Sequence, residues 1–175
     1  MVMVKKMEKK NEEKKDYKKI LKELIPYVII LIVVVLFRTF IATPVVVDGP
    51  SMQPTLKGGE LMILNKRSKI DRFDIVVVNN GKEDIIKRVI AMPGETISCE
   101  DGKIYVNDHL QEEEYSRGTT SDFKKVTLKD DEYYVLGDNR TNSADSRIYG
   151  PFNAKKVKGR ANLVIFPFSK FGKVK

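Results

Sequence analysis

The 175-residue chain has one cysteine and one histidine. A lone cysteine excludes an internal disulfide framework, and the pair together excludes the usual Cys/His zinc sites. A Ser-His-Asp arrangement would have to use His109, which reads instead as a surface loop histidine. No internal repeat is visible, and no helical pattern of useful length appears beyond Thr43. One-sided charge is also scarce over most of the chain. Of the net +8, residues 1–23 carry +4, Arg38 adds one, and residues 43–175 hold only +3 from 22 basic and 19 acidic side chains. A nucleic-acid partner is therefore not expected. No metal or cofactor is expected either, and no oligomer is indicated.

One long apolar run is present. From Leu24 to Phe37 every residue is apolar except for the Tyr27 hydroxyl, and Phe40, Ile41 and Ala42 extend the run to 19 residues. As a helix this measures about 28 Å, close to the ~30 Å hydrocarbon core of a bilayer. Pro26 would fall in the first turn, and Arg38 would snorkel to the interface. Nine lysines precede the run, which orients the N-terminus to the cytoplasm and the remainder outward. The basic region is too long for a cleaved signal, and a cut after Ala42 would put bulky Phe40 where a small residue is needed. The expectation is a cytoplasmic tail (1–23), a transmembrane helix (24–42) retained as an anchor in the lipid bilayer, and an extracytoplasmic domain (43–175). A lone Cys99 is consistent with a bacterial domain outside the cell.

Beyond Thr43 the chain becomes short β-branched runs separated by Gly, Asp and Asn. Strands are expected at Val45–Val47, Glu60–Asn65, Asp74–Val78, Asp84–Met92, Thr96–Cys99, Lys103–Val106, Lys125–Leu128, Glu132–Leu136 and Arg160–Phe166. Turn signals such as Asn80-Gly81, Pro93-Gly94 and Asp101-Gly102 lie between them. The fold class is mainly β, an antiparallel sheet domain after one helix. The polar stretch Glu112 to Asp122 reads as an inserted loop, part of a mobile lobe spanning about residues 100–130. Near the end, Phe166, Phe168 and Phe171 interleave with lysines. This reads either as a final strand with a frayed end or as a patch touching the bilayer surface.

Three segments could carry chemistry. In Asp48-Gly49-Pro50-Ser51-Met52-Gln53-Pro54-Thr55-Leu56, a serine sits in a proline-bounded loop just after a strand. It is either an ordinary turn residue or a rigidly presented nucleophile. In Asp84 to Glu95, alternation places Lys87 with Ile85, Val89 and Ala91, and Arg88 on the other face. One reading lays both stems along the sheet with their heads in water. The sharper reading makes Lys87 a buried base. An ordinary lysine is neutral at pH 7 about once in 2,500 molecules, a handicap of roughly 4.6 kcal/mol that burial can remove. Arg88 cannot serve, because guanidinium keeps its proton. The third segment, Gly137 to Pro151, is a polar loop dense enough in small hydroxyl, amide, Asp and Arg groups to form a scaffold beneath a site.

Taken together, the blocks G-P-S-M-Q-P-T-L, I-K-R-V-I-A-M-P-G-E and G-D-N-R-T-N-S-A-D-S-R-I-Y-G-P make the chain resemble the type I signal peptidases. These are membrane-anchored serine proteases that remove signal peptides from exported proteins, and the short form seen here resembles the Gram-positive type. The resemblance implies Ser51 as nucleophile and Lys87 as general base. It implies that Ser143 orients the lysine, that Asp145 and Arg147 form a supporting ion pair, and that Asp138 is a further supporting carboxylate. The Ser51 backbone N–H would donate to the oxyanion. Many larger members have a second donating serine where this chain has Gly49, so a second donor would come from a backbone group in the Gly49 region or from water. Substrates would be secreted preproteins bound as an added strand, with small residues at the first and third positions before the cut. Met52, Val45, Val47 and Ile85 are the expected pocket residues. Three rivals fit less well. A Ser-Lys self-cleaving repressor is cytosolic with a DNA-binding domain, and a non-enzymatic member of the same fold typically lacks the Ser or the Lys. An inert surface-anchored β-domain gives no reason for an ionisable Lys87 amid Ile and Val.

Overall fold

The computed structural model describes residues 2–40 and 42–174. The chain divides into two units, Met1–Ile41 and Ala42–Lys175.

The first unit is a single helix, α1, Val2–Phe40. It differs from the expected 24–42 span at both ends. Lys, Glu, Met and Leu fill the region before the apolar run, and their helix propensity carries the helix back through the tail. Pro26 is therefore interior to α1 and not in its first turn, where it removes one i→i−4 hydrogen bond. At the other end, Ala42 belongs to a strand, not the helix. Pro44 disfavours helical geometry at Thr43, and the valines that follow favour extended chain. By length and composition, Lys19–Phe40, with mean hydropathy 2.6, is a candidate membrane span.

Strands are the main regular structure of the second unit. In chain order it contains β1 Ala42–Val46, β2 Leu61–Asn65, β3 Ile75–Asn79, β4 Asp84–Ala91, β5 Thr96–Glu100, β6 Lys103–Val106, β7 His109–Leu110, β8 Phe123–Thr127 and β9 Glu132–Leu136. The short helix α2 Ser146–Tyr149 follows, then β10 Phe152–Asn153, β11 Val157–Phe166 and β12 Gly172–Lys173. The larger sheet runs β1-β2-β11-β3-β4-β9-β10, with β12 paired to β11; the smaller runs β7-β6-β5-β8. The strand pairings are antiparallel, as the sequence implies. Boundaries mostly move by a residue or two, but β1 starts three residues earlier than expected, as does β11. The two-residue strands were not anticipated, since two positions are too few to show alternation. His109 lies in one of them and is exposed. Gly172 and Lys173 fold back on β11 as β12, while Phe166, Phe168 and Phe171 stay exposed.

The continuous run Ile75-Val76-Val77-Val78 fixes the centre. Ile75 and Val77 pack with Val47, Met52, Leu56, Met62 and Val164 on one face. Val76 and Val78 pack with Val89, Val135 and Phe152 on the other. A strand buried on both faces loses the polar alternation of a half-exposed one. β4 departs from strict alternation. A register shift between Val89 and Ala91 lets both Ile90 and Ala91 pack into the cluster beneath the smaller sheet. Ala91 therefore does not share a face with Lys87 as period 2 implied, because a bulge inserts one residue. Cys99 is buried in that same cluster, and burial pushes its thiol up to about 11, making it an inert core residue. The polar stretch Glu112 to Asp122 leaves the smaller sheet and touches the third motif through a parallel bridge, Arg117 to Asn139.

β11 crosses β2 and β3 closely at Gly159, which has φ +147° and lies against the Asn65 carbonyl, where a side-chain Cβ would overlap it. Gly159→Ala is expected to cost about 1–3 kcal/mol, measured by chemical denaturation of the full chain in detergent; an unchanged midpoint would contradict this packing.

Candidate active site

The loop after β1 is closed by backbone bonds. Val47 N–H donates to Glu60 O, and Gly59 N–H donates to Val47 O. Inside it, Gln53 N–H donates to Pro50 O and Leu56 N–H to Met52 O, forming tight turns around Ser51. From the third motif, Asn139 holds the loop twice, with its N–H on Ser51 O at 3.0 Å and its Nδ2 on Pro50 O at 3.2 Å. Gly137 packs directly below, and a Cβ there would overlap both Ser143 Oγ and Ser51 O. Only glycine lets these strands of chain approach so closely.

Lys87 stands on β4 opposite Val76. It is 3% exposed, and its Nζ donates to Ser51 Oγ at 2.8 Å and to Ile86 O at 3.0 Å. Burial lowers its pKa to about 8, against the opposing pull of Asp145, Asp138 and Glu83. At pH 7 about one molecule in ten is then neutral, and the handicap shrinks to about 1.4 kcal/mol.

The next residue, Arg88, faces the interior and is fully buried. Its Nε and Nη2 meet the two oxygens of Asp138 at 2.9 and 2.7 Å, and its Nη1 donates to Phe73 O. Thr55 Oγ1 donates to the same carboxylate. Asp138 thus joins the Ser51 loop, β4 and the third motif. Asp145 caps α2 and accepts paired donation from Arg147 Nε and Nη2 at 2.9 and 2.8 Å, plus the Gly137 N–H. Burial acts to raise the Asp145 pKa, but these donors outweigh it and hold the group below the usual carboxylate range.

Ser143 departs from its expected role. Its Oγ is buried over Gly137, near enough to Asp145 to favour the charged carboxylate, but it has no partner at hydrogen-bond geometry and makes no bond to Lys87. The Lys87 amine is directed to Ser51 and Ile86 O instead. The pocket residues also need correction. A cleft of about 310 Å³ runs past Ser51 and Lys87, walled by Val46, Ile85, Ile86, Ala144 and Tyr149, with Gly49 at its edge. Of the four expected residues, only Ile85 lines it. Val47 and Met52 are core, and Val45 packs against the same cluster. The reason is parity, since neighbouring residues on β1 face opposite ways and Val46 is the one left 62% exposed.

A family model described as signal peptidase, peptidase S26, matches residues 20–166. The chain belongs to this family. Among its relatives, signal peptidase I of Bacillus amyloliquefaciens is 38% identical over 157 residues, covering 81% of this chain and 85% of that protein. Signal peptidase I of Streptococcus pneumoniae is 34% identical over 180 residues, covering 78% and 88%. A solved signal peptidase I from Enterococcus faecalis aligns with 53% of this chain and 97% of its own at 32% identity, with a TM-score of 0.48. As a peptidase S26 member the chain is a serine endopeptidase of the signal peptidase I type.

Sequence reasoning used Arg88 only to exclude it as a base, and it missed Thr55. Neither had a signal, because both act through the buried carboxylate of a residue at least 50 positions away. Asp138→Ala would strand the Arg88 charge, and a loss of about 3–5 kcal/mol is expected in chemical denaturation. Lys87→Met tests the opposite sign. The folded-state pKa lies below the ordinary 10.5, so the cost of the buried charge is fully present below about pH 8 and fades between 8 and 10.5. The substitution is expected to stabilise the protein at pH 7 by up to about 3 kcal/mol. That difference should narrow as pH rises from 8 to 10.5; a constant difference would exclude titration of Lys87 as its source.

Proposed function

We propose that the chain is a membrane-anchored endopeptidase that cleaves signal peptides from secreted preproteins through a Ser51–Lys87 dyad and an acyl-enzyme. The observation that carries this is the 2.8 Å contact between a buried amine and a serine hydroxyl in a substrate-sized cleft. The neutral amine accepts the Ser51 proton by reversing the direction of that hydrogen bond. The alkoxide attacks the scissile carbonyl, and the lysinium then protonates the leaving amine. Water, deprotonated by the regenerated neutral amine, releases the acyl group. The Ser51 N–H is the proposed oxyanion donor, and Gly49, which has no hydroxyl, offers only backbone to a second one.

Substrate geometry follows from the sheet. β1 stands at one end of the strand order, and β9 pairs with β4 only from Arg88 onward. An extended peptide beside β1 and the Ile85-Ile86 stretch would place alternate side chains against Val46, Ile85 and Ile86, in shallow pockets that favour small residues. α1 supplies the proposed anchor. The nine lysines of the N-terminal region favour a cytoplasmic N-terminus, and the catalytic domain would then lie outside the cell.

Purified full-length protein in detergent is expected to cut a preprotein after an Ala-X-Ala site, with the position read by mass spectrometry. Ser51→Ala, Lys87→Ala and Lys87→Arg should each be inactive while folded; substantial activity in Lys87→Arg would remove the general-base role. In the active protein, kcat/KM should rise with pH through an apparent pKa of about 8, since the base works only when neutral. An ascending limb near 10.5 would mean that the amine is solvated.

A further inference from the structure

The geometry points to Glu113 and Tyr115, in the polar stretch after β7, as positioning residues that hold the Lys87 strand and the third motif together around the dyad; this rests on the function proposed above. Of the consecutive acids Glu112, Glu113 and Glu114, only the middle one turns inward. Its carboxylate takes both ends of Arg140, at 2.6 Å from Nη1 and 2.7 Å from Nη2. The Arg140 side chain is completely buried, and its Nε donates back to Gly137 O at 3.0 Å. A buried guanidinium without a counter-charge is strongly unfavourable, so Glu113 decides whether Arg140 can stay in place. Arg140 in turn offers its carbonyl to Arg147 Nη1 at 2.7 Å, and Arg147 holds Asp145.

Tyr115 reaches the other side. Its hydroxyl donates to Glu113 Oε1 at 3.0 Å, and its ring lies 4.1 Å from the Arg88 guanidinium carbon. That arginine follows Lys87 directly. A cation over a desolvated ring is held more firmly than one facing water. The backbone completes the strap, with Arg117 N–H on Asp138 O at 2.7 Å and Arg140 N–H on Arg117 O at 2.8 Å. The residue between them, Asn139, is the one that grips Ser51 O. One five-residue stretch therefore contacts Arg88, Arg140 and the loop that fixes the nucleophile.

The consequence falls on Lys87. Loosening the 137–147 loop admits water to the amine and separates it from Asp145, Asp138 and Arg147. Glu83, on β4's own approach, stays where it is. Solvation is the larger effect, because burial is the leading cause of the lowered pKa. A rise of about one unit reduces the neutral fraction at pH 7 about tenfold.

The test uses full-length protein in detergent, an Ala-X-Ala preprotein, and rates normalised to titrated active sites. Glu113→Ala is expected to lower kcat at pH 7 about tenfold or more, with KM within about twofold. The ascending limb should move above 8, with partial recovery in Glu113→Asp. Tyr115→Leu should move the limb in the same direction, and Tyr115→Phe, which keeps the ring, should move it less. A merely structural role would reduce the active fraction and thermal stability and leave the limb in place. Should Glu113→Ala fail to fold, Glu113→Gln and Tyr115→Leu carry the test. The Lys87 amine is also titrated directly by NMR of lysine-labelled protein, which needs no substrate. Lys87 titrating identically in wild type and folded variants overturns the strap, whereas wild type that does not cut overturns the protease reading instead.

Discussion

Arg88 and Asp138 are both fully buried, and they meet as a two-point pair with Thr55 donating to the same carboxylate. Neither charge tolerates the interior alone, so the pair forms only when three distant stretches of chain arrive together. Thr55 brings the loop that presents Ser51, Arg88 brings the strand that presents Lys87, and Asp138 brings the loop that carries Asp145. Apolar clusters give the domain its core, but they tolerate some sliding. The fixed geometry of guanidinium and carboxylate does not, and a hydroxyl and an amine at 2.8 Å need that precision.

Period 2 on β4 makes the arrangement possible. Two consecutive basic residues are sent to opposite faces, one into the cleft and one into the core. For the proposed base the cleft-side residue must be a lysine, because guanidinium keeps its proton, and the core-side residue needs the two-point fork that lysine lacks. The bulge after Val89 then ends the alternation and turns Ile90 and Ala91 together toward the smaller sheet. Strand geometry thus separates chemistry from support within two residues and seals the far end with apolar packing.

Much of this was legible in the sequence. The apolar run, the antiparallel β class and the three chemical segments carry local signals, namely run length, alternation and unusual composition. What was not legible depends on relations between segments. Val46 rather than Val45 and Val47 lines the cleft because the parity of a short strand is set by where its partner places the first residue. Pro26 looked like a first-turn proline because nothing in the apolar run shows that the lysine-rich stretch before it is also helical. Ser143 lies close to the site, but its hydroxyl packs into the space beside Gly137 without a partner at hydrogen-bond geometry. The inward turn of Glu113 has no signature among three consecutive glutamates. Composition reads such a stretch as a solvated loop, and only the presence of a buried arginine makes one of them structural.

The proposed role of the Lys87 amine and the stability of the domain are opposed. Water would stabilise the Lys87 charge, but the same water would leave the amine protonated and useless as a base at neutral pH. The domain keeps the site dry by surrounding it with charges that satisfy one another: Arg88 with Asp138, and Arg147 with Asp145. Because each guanidinium is already matched to a carboxylate, little net charge is left to counteract the effect of burial on the lysine. An unpaired carboxylate at the same distance would hold the lysine protonated, and an unpaired arginine would disrupt the packing. Balanced pairs let the fold exclude water from a single amine while every other buried charge stays compensated.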